Sequence, residues 1–378
     1  MTPKERMTAA MNMEPHDRIP VMCQMSIGHM LVQLGVSPSE FWFDKNVFKV
    51  GLLKLREQYG FDGILISLHG HDPNWKSRIE TIESRSGRER VILRTGEIMD
   101  FPNDDLPVYS RLINRDVLPM SSITEKDLPP SLDYIPVSQN LNFCIHPERR
   151  FDILEELAND LGGQYSIHGE ITSPFDYLLN SFGAEGALIG LMDHPAQCLM
   201  VLAHFAKLIK DLAIDMCATG IDAIKISSPF SGSGFISKDA YRKFVLPFEK
   251  DIATAVRRKG VHVYTHTCGP INDRLEAMLE SGISGIECLD PPPLGNVELN
   301  DALNRIGGRG FVKGNVDSVN TLLLGAESDI LEDLKMRIGI GKKWNGYILS
   351  TACSIAPHVP KEHVLLMSKA VELWGDLG

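Results

Sequence analysis

No run of apolar residues in this 378-residue chain approaches the ~18 needed to span a bilayer, so a membrane-spanning helix is not expected. Positive charge is also scarce: 38 Lys and Arg stand against 49 Asp and Glu, a net −11. That disfavours nucleic acid or an anionic membrane surface as the main partner and leaves room for a docking partner with a basic patch. The seven cysteines are thinly spread and odd in number, which excludes a disulfide framework as the basis of the fold. There is no internal repeat and no low-complexity tract. No Gly-x-Gly-x-x-Gly follows the first strand candidate, so the usual dinucleotide fingerprint is missing. The N-terminal "MTPKERMTAA" lacks the apolar core of a signal peptide. Thr2, Pro3 and Glu5 read as a capping-box helix start, and the cytoplasm is the expected compartment.

Eight short apolar, β-branched runs punctuate the chain: 20–26, 63–68, 164–170, 223–228, 261–266, 285–290, 310–315 and 347–353. Most are continuous, as expected of strands covered on both faces. Helical patterns fill the gaps. One starts at Ser37, Pro38 and Glu40 and ends near Gly60; another covers about 150–161; two or three lie within 174–219. One opens at Ser237 and bends at Pro247, and more follow at about 271–281, 297–306, 318–338 and 360–375. Eightfold strand–helix alternation predicts an α/β fold, a (β/α)8 TIM barrel as one domain over 1–378. An open doubly wound sheet is the runner-up. Residues 69–149 break the rhythm after the second strand. The hairpin-like alternation at 88–100 and many prolines mark an insertion, a lid segment over the barrel mouth.

One stretch, "VHVYTHTCGPI" (261–271), carries chemistry at the end of a strand. In extended chain, residues i and i+2 project to one side, so His266 and Cys268 can grip one ion together. Cys353 ends the last predicted strand, and in a barrel the fifth and eighth strands deliver their ends to the same mouth. Imidazole and two thiolates suit zinc, and three protein ligands with an open fourth position describe a catalytic rather than a structural site. A single cysteine is more often a small buried hydrophobe, and Cys23, Cys144, Cys198, Cys217 and Cys288 are read that way. Glu170, ending the third strand, is a candidate fourth ligand or catalytic group, against capping the next helix or holding the histidine from behind. His69 and His71 share a spacing fit for a proton relay, against the ordinary reading of exposed loop histidines. Asn315 and Asp317 face substrate or cap the following helix. "SSPFSGSGF" (227–235) reads as a flexible rim.

"HTCG" at the fifth strand end, with a distant cysteine, resembles the His-x-Cys…Cys motif of zinc methyltransferases in the uroporphyrinogen decarboxylase superfamily. "ERMTAAMNMEPHDRIPV", "ISKDAYRKFVLPFEKDI", "FVKGNVD" and "CSIAPHVPKEHV" resemble the same superfamily, so the similarity runs over essentially the whole chain. The resemblance implies a (β/α)8 barrel, a zinc held by His266, Cys268 and Cys353, and methyl transfer to or from a corrinoid (cobalamin-type) cofactor. The chain has no corrinoid-binding fingerprint of its own, so the cofactor is expected on a separate corrinoid-binding protein, and no residue is assigned to contact it. The decarboxylase branch carries an arginine-rich stretch after the first strand; "VMCQMSIGHM" has none, and Asp72 falls out of pattern. A substrate with many carboxylates needs guanidinium forks, so decarboxylation is not expected. The expected reaction moves a methyl group between a small O-methyl compound (an aryl methyl ether among the candidates) or S-methyl compound and the corrinoid. The long insertion leans towards demethylation. A methylcorrinoid:thiol reaction of the coenzyme M type is the close alternative, and a non-catalytic zinc- or tetrapyrrole-binding relative the alternative from another class. A homodimer is the assembly to test.

Overall fold

The computed structural model describes residues 1–112, 119–138 and 141–378. The stretches 113–118 and 139–140 fall in the 69–149 insertion, and that part of the expectation lies outside the described residues. In chain order the strands are β1 (Gly63–Ile66), β2 (Ile79–Arg85), β3 (Arg88–Leu93), β4 (Ile98–Pro102), β5 (Val108–Arg111), β6 (Tyr134–Ser138) and β7 (Leu141–Cys144). Then come β8 (Ser166–Thr172), β9 (Ala223–Ser227), β10 (His262–Thr267), β11 (Gly285–Cys288), β12 (Phe311–Val316) and β13 (Tyr347–Thr351). One parallel sheet runs β1-β8-β9-β10-β11-β12-β13. All residues of β1, β8, β11, β12 and β13 are buried, as strands between a helical coat and a packed barrel interior must be.

Seven of the eight predicted barrel strands form regular ladders. The first does not: 20–26 makes only isolated bridges among the described residues, Val21 with Leu349 of β13 and Met25 with Ile355 just past it. It still fills the gap between β13 and β1. Leu349 N–H donates to the Pro20 carbonyl (2.9 Å), and Asp62 N–H to the Val21 carbonyl (2.8 Å). Pro20 has no N–H for a ladder, and the Val21 N–H is taken at 2.8 Å by the Asp62 carboxylate instead of a strand carbonyl. That carboxylate is buried and also accepts from Arg6 (2.7 Å) and Arg18 (3.0 Å). Arg6 comes from the N-terminal helix Pro3–Asn12, which the Thr2–Glu5 capping box starts as predicted. One buried ion cluster thus seals the ring.

The helices follow the sequence reading with shorter pieces. The run after Ser37 splits into Pro38–Phe43 and Lys45–Tyr59 because Asp44 caps the second piece with its own carboxylate. The run after Ser237 breaks at Val245, between Lys238–Phe244 and Leu246–Arg257, where Pro247 cannot supply the i to i−4 bond. Residues 174–219 hold three helices. The insertion carries an antiparallel sheet β2-β3-β4-β5 and the hairpin β6–β7. The alternation at 88–100 is the β3–β4 pair. The insertion packs on elements that follow the first and last staves. Glu89 accepts from Ser37 (3.0 Å) and Ser39 (2.5 Å), and Asp104 meets His358 at 3.1 Å. A side chain at Gly28 would collide with the Asp104 carbonyl, so glycine is required where the insertion crosses.

Removing Asp62 leaves Arg6 short of a buried counter-charge and frees the first stave. Asp62→Ala should cost about 3–5 kcal/mol, read as a drop in the urea midpoint. An unchanged midpoint refutes the sealing role.

Burial sets the acid–base balance of the core. It pushes His29 and His69 down to about 4, and His71 and His168 to about 3. It raises Asp176 to about 8 and Glu249 to about 7. From about pH 6.5 down to 4 the unfolded chain binds more protons at the histidines, so their stabilisation is lost on acidification. The two carboxyls act in the opposite sense, and theirs is lost as pH rises through 7 to 8. Four groups outweigh two below about pH 6.5, and above it only the carboxyls of this set change. Urea midpoints should peak near pH 6.5; a midpoint that climbs steadily to pH 8.5 contradicts this account.

Candidate metal centre

The order β10-β11-β12-β13 puts the fifth and eighth staves three positions apart. In a flat sheet that is about 14 Å. The curl of the sheet cancels it: Cys268 Sγ lies 3.8 Å from Cys353 Sγ. His266 Nε2 lies 3.4 Å from Cys268 Sγ and 4.0 Å from Cys353 Sγ. His266 sits in β10, Cys268 just beyond it, and Cys353 two residues past β13. Zinc bonds of about 2.3 Å to sulfur and 2.0–2.1 Å to nitrogen give tetrahedral edges of about 3.8 Å (S–S) and 3.6 Å (S–N). The three observed edges are close to one face of that tetrahedron, so these residues fit a zinc ion.

The imidazole is held from behind. His266 Nδ1 donates to Glu287 Oε2 at 2.9 Å, which turns Nε2 towards the thiols. Glu287 is itself fully buried in β11 and bonded to Lys313 of β12, with Lys225 of β9 at 3.9 Å. Lys225 continues the row, 3.1 Å from Glu170 of β8 and 2.7 Å from Gln24. Two carboxylates and two ammoniums alternate and cancel. Burial alone would raise the Glu287 carboxyl, but Lys313, Lys225 and His266 hold it well below the usual carboxylate range. Burial likewise opposes an imidazolium at His266, yet the Cys268 charge, with help from Cys353 and Glu287, pushes that ring upward. The Cys353 thiol is pushed down by hydrogen bonds from Cys268 and Cys288.

Several expectations change here. Glu170 does not join the three ligand atoms; its carboxylate is engaged by Lys225. Asn315 is fully buried and committed to the protein: its amide donates to the Leu289 (2.8 Å) and Val297 (3.2 Å) carbonyls, and its oxygen accepts from Arg337. It shapes the loop after β11 rather than facing a substrate. Asp317 caps the turn that follows, accepting from Val319 and Asn320. His69 and His71 are buried, not exposed, and no hydrogen bond joins them into a relay. The His69 Nδ1–H donates to the Arg150 carbonyl (2.9 Å), which leaves Nε2 as an unpartnered lone pair. His71 is packed between Phe48 and Phe143. The 227–235 rim is pinned: the fully buried Arg274 donates to the Ser231 (2.6 Å) and Ile236 (3.0 Å) carbonyls.

Sequence reasoning passed over Glu287, Lys225 and Lys313. Their signal was a charge inside each of three otherwise apolar strands, "GIECLD", "AIKISS" and "FVKGN", where burial demands a partner. It also took Cys144 for a buried hydrophobe, whereas Cys144 is exposed. Cys288 is buried as expected, and its thiol, the Asp290 carboxylate and Cys268 offer ligand atoms that all lie within 4.8 Å of one another.

Comparison with known proteins agrees with this architecture. A methylcobamide:CoM methyltransferase (MtbA) of Methanosarcina acetivorans is 22% identical over 97% of this chain and 96% of its own length. The protein of the same name from Methanosarcina mazei is 23% identical over equal shares. A uroporphyrinogen decarboxylase of Ruthia magnifica is 27% identical but matches 58% of this chain and 63% of its own. The solved structure of a methyltransferase from Methanosarcina mazei superposes with a TM-score of 0.72, covering 99% of both chains at 19% identity, and shares the fold. The uroporphyrinogen decarboxylase (URO-D) family model matches residues 146–374, the part that holds β8 to β13 and all three candidate ligands. The chain therefore belongs to the uroporphyrinogen decarboxylase family.

Proposed function

We propose that this protein is a zinc-dependent methyltransferase that moves a methyl group between a corrinoid on a separate protein and a small O- or S-methyl compound. The observation that carries the reading is the face of three ligand atoms, 3.4, 3.8 and 4.0 Å apart, at the barrel mouth. His266, Cys268 and Cys353 would hold the ion, and Glu287 would fix the imidazole. Zinc at this position supplies Lewis acidity, taking up charge on a departing oxygen or keeping a thiol deprotonated. Two thiolates and a neutral imidazole offset the charge of the ion, so an anionic sulfur or oxygen adds only one net charge. The Nε2 lone pair of His69, buried without a partner, makes it the candidate group for moving a proton. Glu170 acts through Lys225 on Glu287 as a positioning residue. The insertion acts as the lid that keeps water from the mouth.

A second reading, methyl transfer from the corrinoid to a thiol, is supported by the two full-length relatives named for that reaction. The aryl methyl ether reading rests on the insertion alone.

Metal analysis of the purified protein should give about one zinc per chain, and Cys353→Ala should lose it. Retention of zinc by that variant refutes the centre. Glu287→Gln should weaken zinc binding by at least about 10–100-fold in competition with a chelator, since His266 loses its carboxylate and Lys313 and Lys225 lose their buried counter-charge. Mixing the protein with cobalt(I) corrinoid and methyl ethers or sulfides, or methylcobalt(III) corrinoid and thiols, should change the cobalt spectrum in one arm. Silence in both arms with the zinc-loaded protein refutes methyl transfer.

A further inference from the structure

We propose that a cleft at the N-terminal end of the barrel, away from the metal centre, binds a nucleoside monophosphate or a like phosphate ester that carries a flat ring. Two glycine-containing turns form it: "IGGRGF" (306–311) leads into β12 and "GKKWNGY" (341–347) into β13. The strands are parallel, so the cleft opens where both begin, whereas Cys353 lies beyond the end of β13. The run from Gly346 to Cys353 is about 20 Å of extended chain, so a small ligand in the cleft does not reach the metal ligands. The inference is independent of the methyl-transfer reading.

The cleft holds about 350 Å³, near the lower end of the range for small-molecule sites, about 300–1,000 Å³. Met13, Leu303 and the half-buried indole of Trp344 line it with apolar surface. Glycine is required at 307, where a Cβ would stand 2.5 Å from Trp344 Cζ3, so the indole rests against bare backbone. Gly310 and Gly346 line the cleft with backbone alone. Both are buried, and among the described residues neither N–H has an acceptor. Buried N–H groups are nearly always paired, so two of them beside one cleft call for an acceptor from outside the chain. A phosphate oxygen is such an acceptor, and successive free N–H groups in a turn are a common cradle for it.

The local charge has the matching sign. The chain as a whole is −11, yet Lys343 lines this cleft and Lys342 and Arg309 flank it. Glu14 is the one carboxylate next in sequence to a lining residue. Among the described residues neither lysine has an ion pair, and the Arg309 guanidinium donates only to the Arg305 carbonyl. An ammonium holds phosphate as a point charge, and an indole gives a flat ring a surface to stack on. An anion anchor and a ring partner thus stand side by side, which is the pairing that a mononucleotide needs.

Isothermal titration of the full chain with adenosine monophosphate (AMP) should show one site per chain. Lys343→Ala and Trp344→Leu should each weaken it about 10-fold, through the lost phosphate contact and the lost ring stack. Lys343 is exposed, so its removal does not endanger the fold, and Trp344→Phe should keep most of the affinity. Inorganic phosphate should compete with AMP, and benzoate, a flat anion without phosphate, should not. Protein stripped of metal by a chelator should bind AMP as the untreated protein does, even where it fails every methyl-transfer assay. The proposal is overturned by no AMP binding at about 1 mM, by full affinity in Lys343→Ala, by displacement with benzoate, or by loss of AMP binding together with the metal.

Discussion

Glu287 carries a full charge in a strand that is buried on both faces, and the mouth of the barrel is arranged around satisfying it. A lone carboxylate at such depth would cost several kcal/mol or stay protonated. Lys313 and Lys225 come to it from β12 and β9, and the His266 imidazole from β10. Three separate staves are thereby tied to a fourth near their C-terminal ends, and Glu170 on β8 extends the row through Lys225. The imidazole has one orientation left, with Nε2 towards the two thiols. The geometry of the metal face is therefore inherited from a structural charge network, not from the loops above it.

Much of this was readable from residues alone. Continuous apolar runs gave seven of the eight staves, and a His-x-Cys pair ahead of Gly-Pro located one edge of the centre. The first stave was harder because Pro20 and the Asp62 side chain replace ladder bonds, a substitution that no periodicity records. Glu287, Lys225 and Lys313 were visible as charges in apolar strands, but their pairing depends on which strands are neighbours. The left-handed backbone at Cys288 and Leu289 was not visible either, because neither residue is a type that signals one.

The histidines show the same limit from the other side. His69 and His71 follow a strand end and precede a long polar insertion, which reads as an exposed loop. The insertion folds back and buries them: β7 supplies Phe143 against His71, and Arg150, just past the insertion, supplies the carbonyl for His69. Burial by a segment distant in sequence is a tertiary fact, and composition cannot carry it.

Cys268 and Cys353 are 85 residues apart and meet only because the sheet curls. No fragment of the chain that stops short of the last strand contains the centre, so an ion that binds there recognises the closed ring and ignores the open one. By mass action it then adds RT ln(1 + [metal]/Kd) to the stability of closure. The metal in this fold would act as a clasp as well as a reagent: starving the protein of it loosens the tie between β10 and β13, while Arg6 and Asp62 fasten the seam beside the first stave.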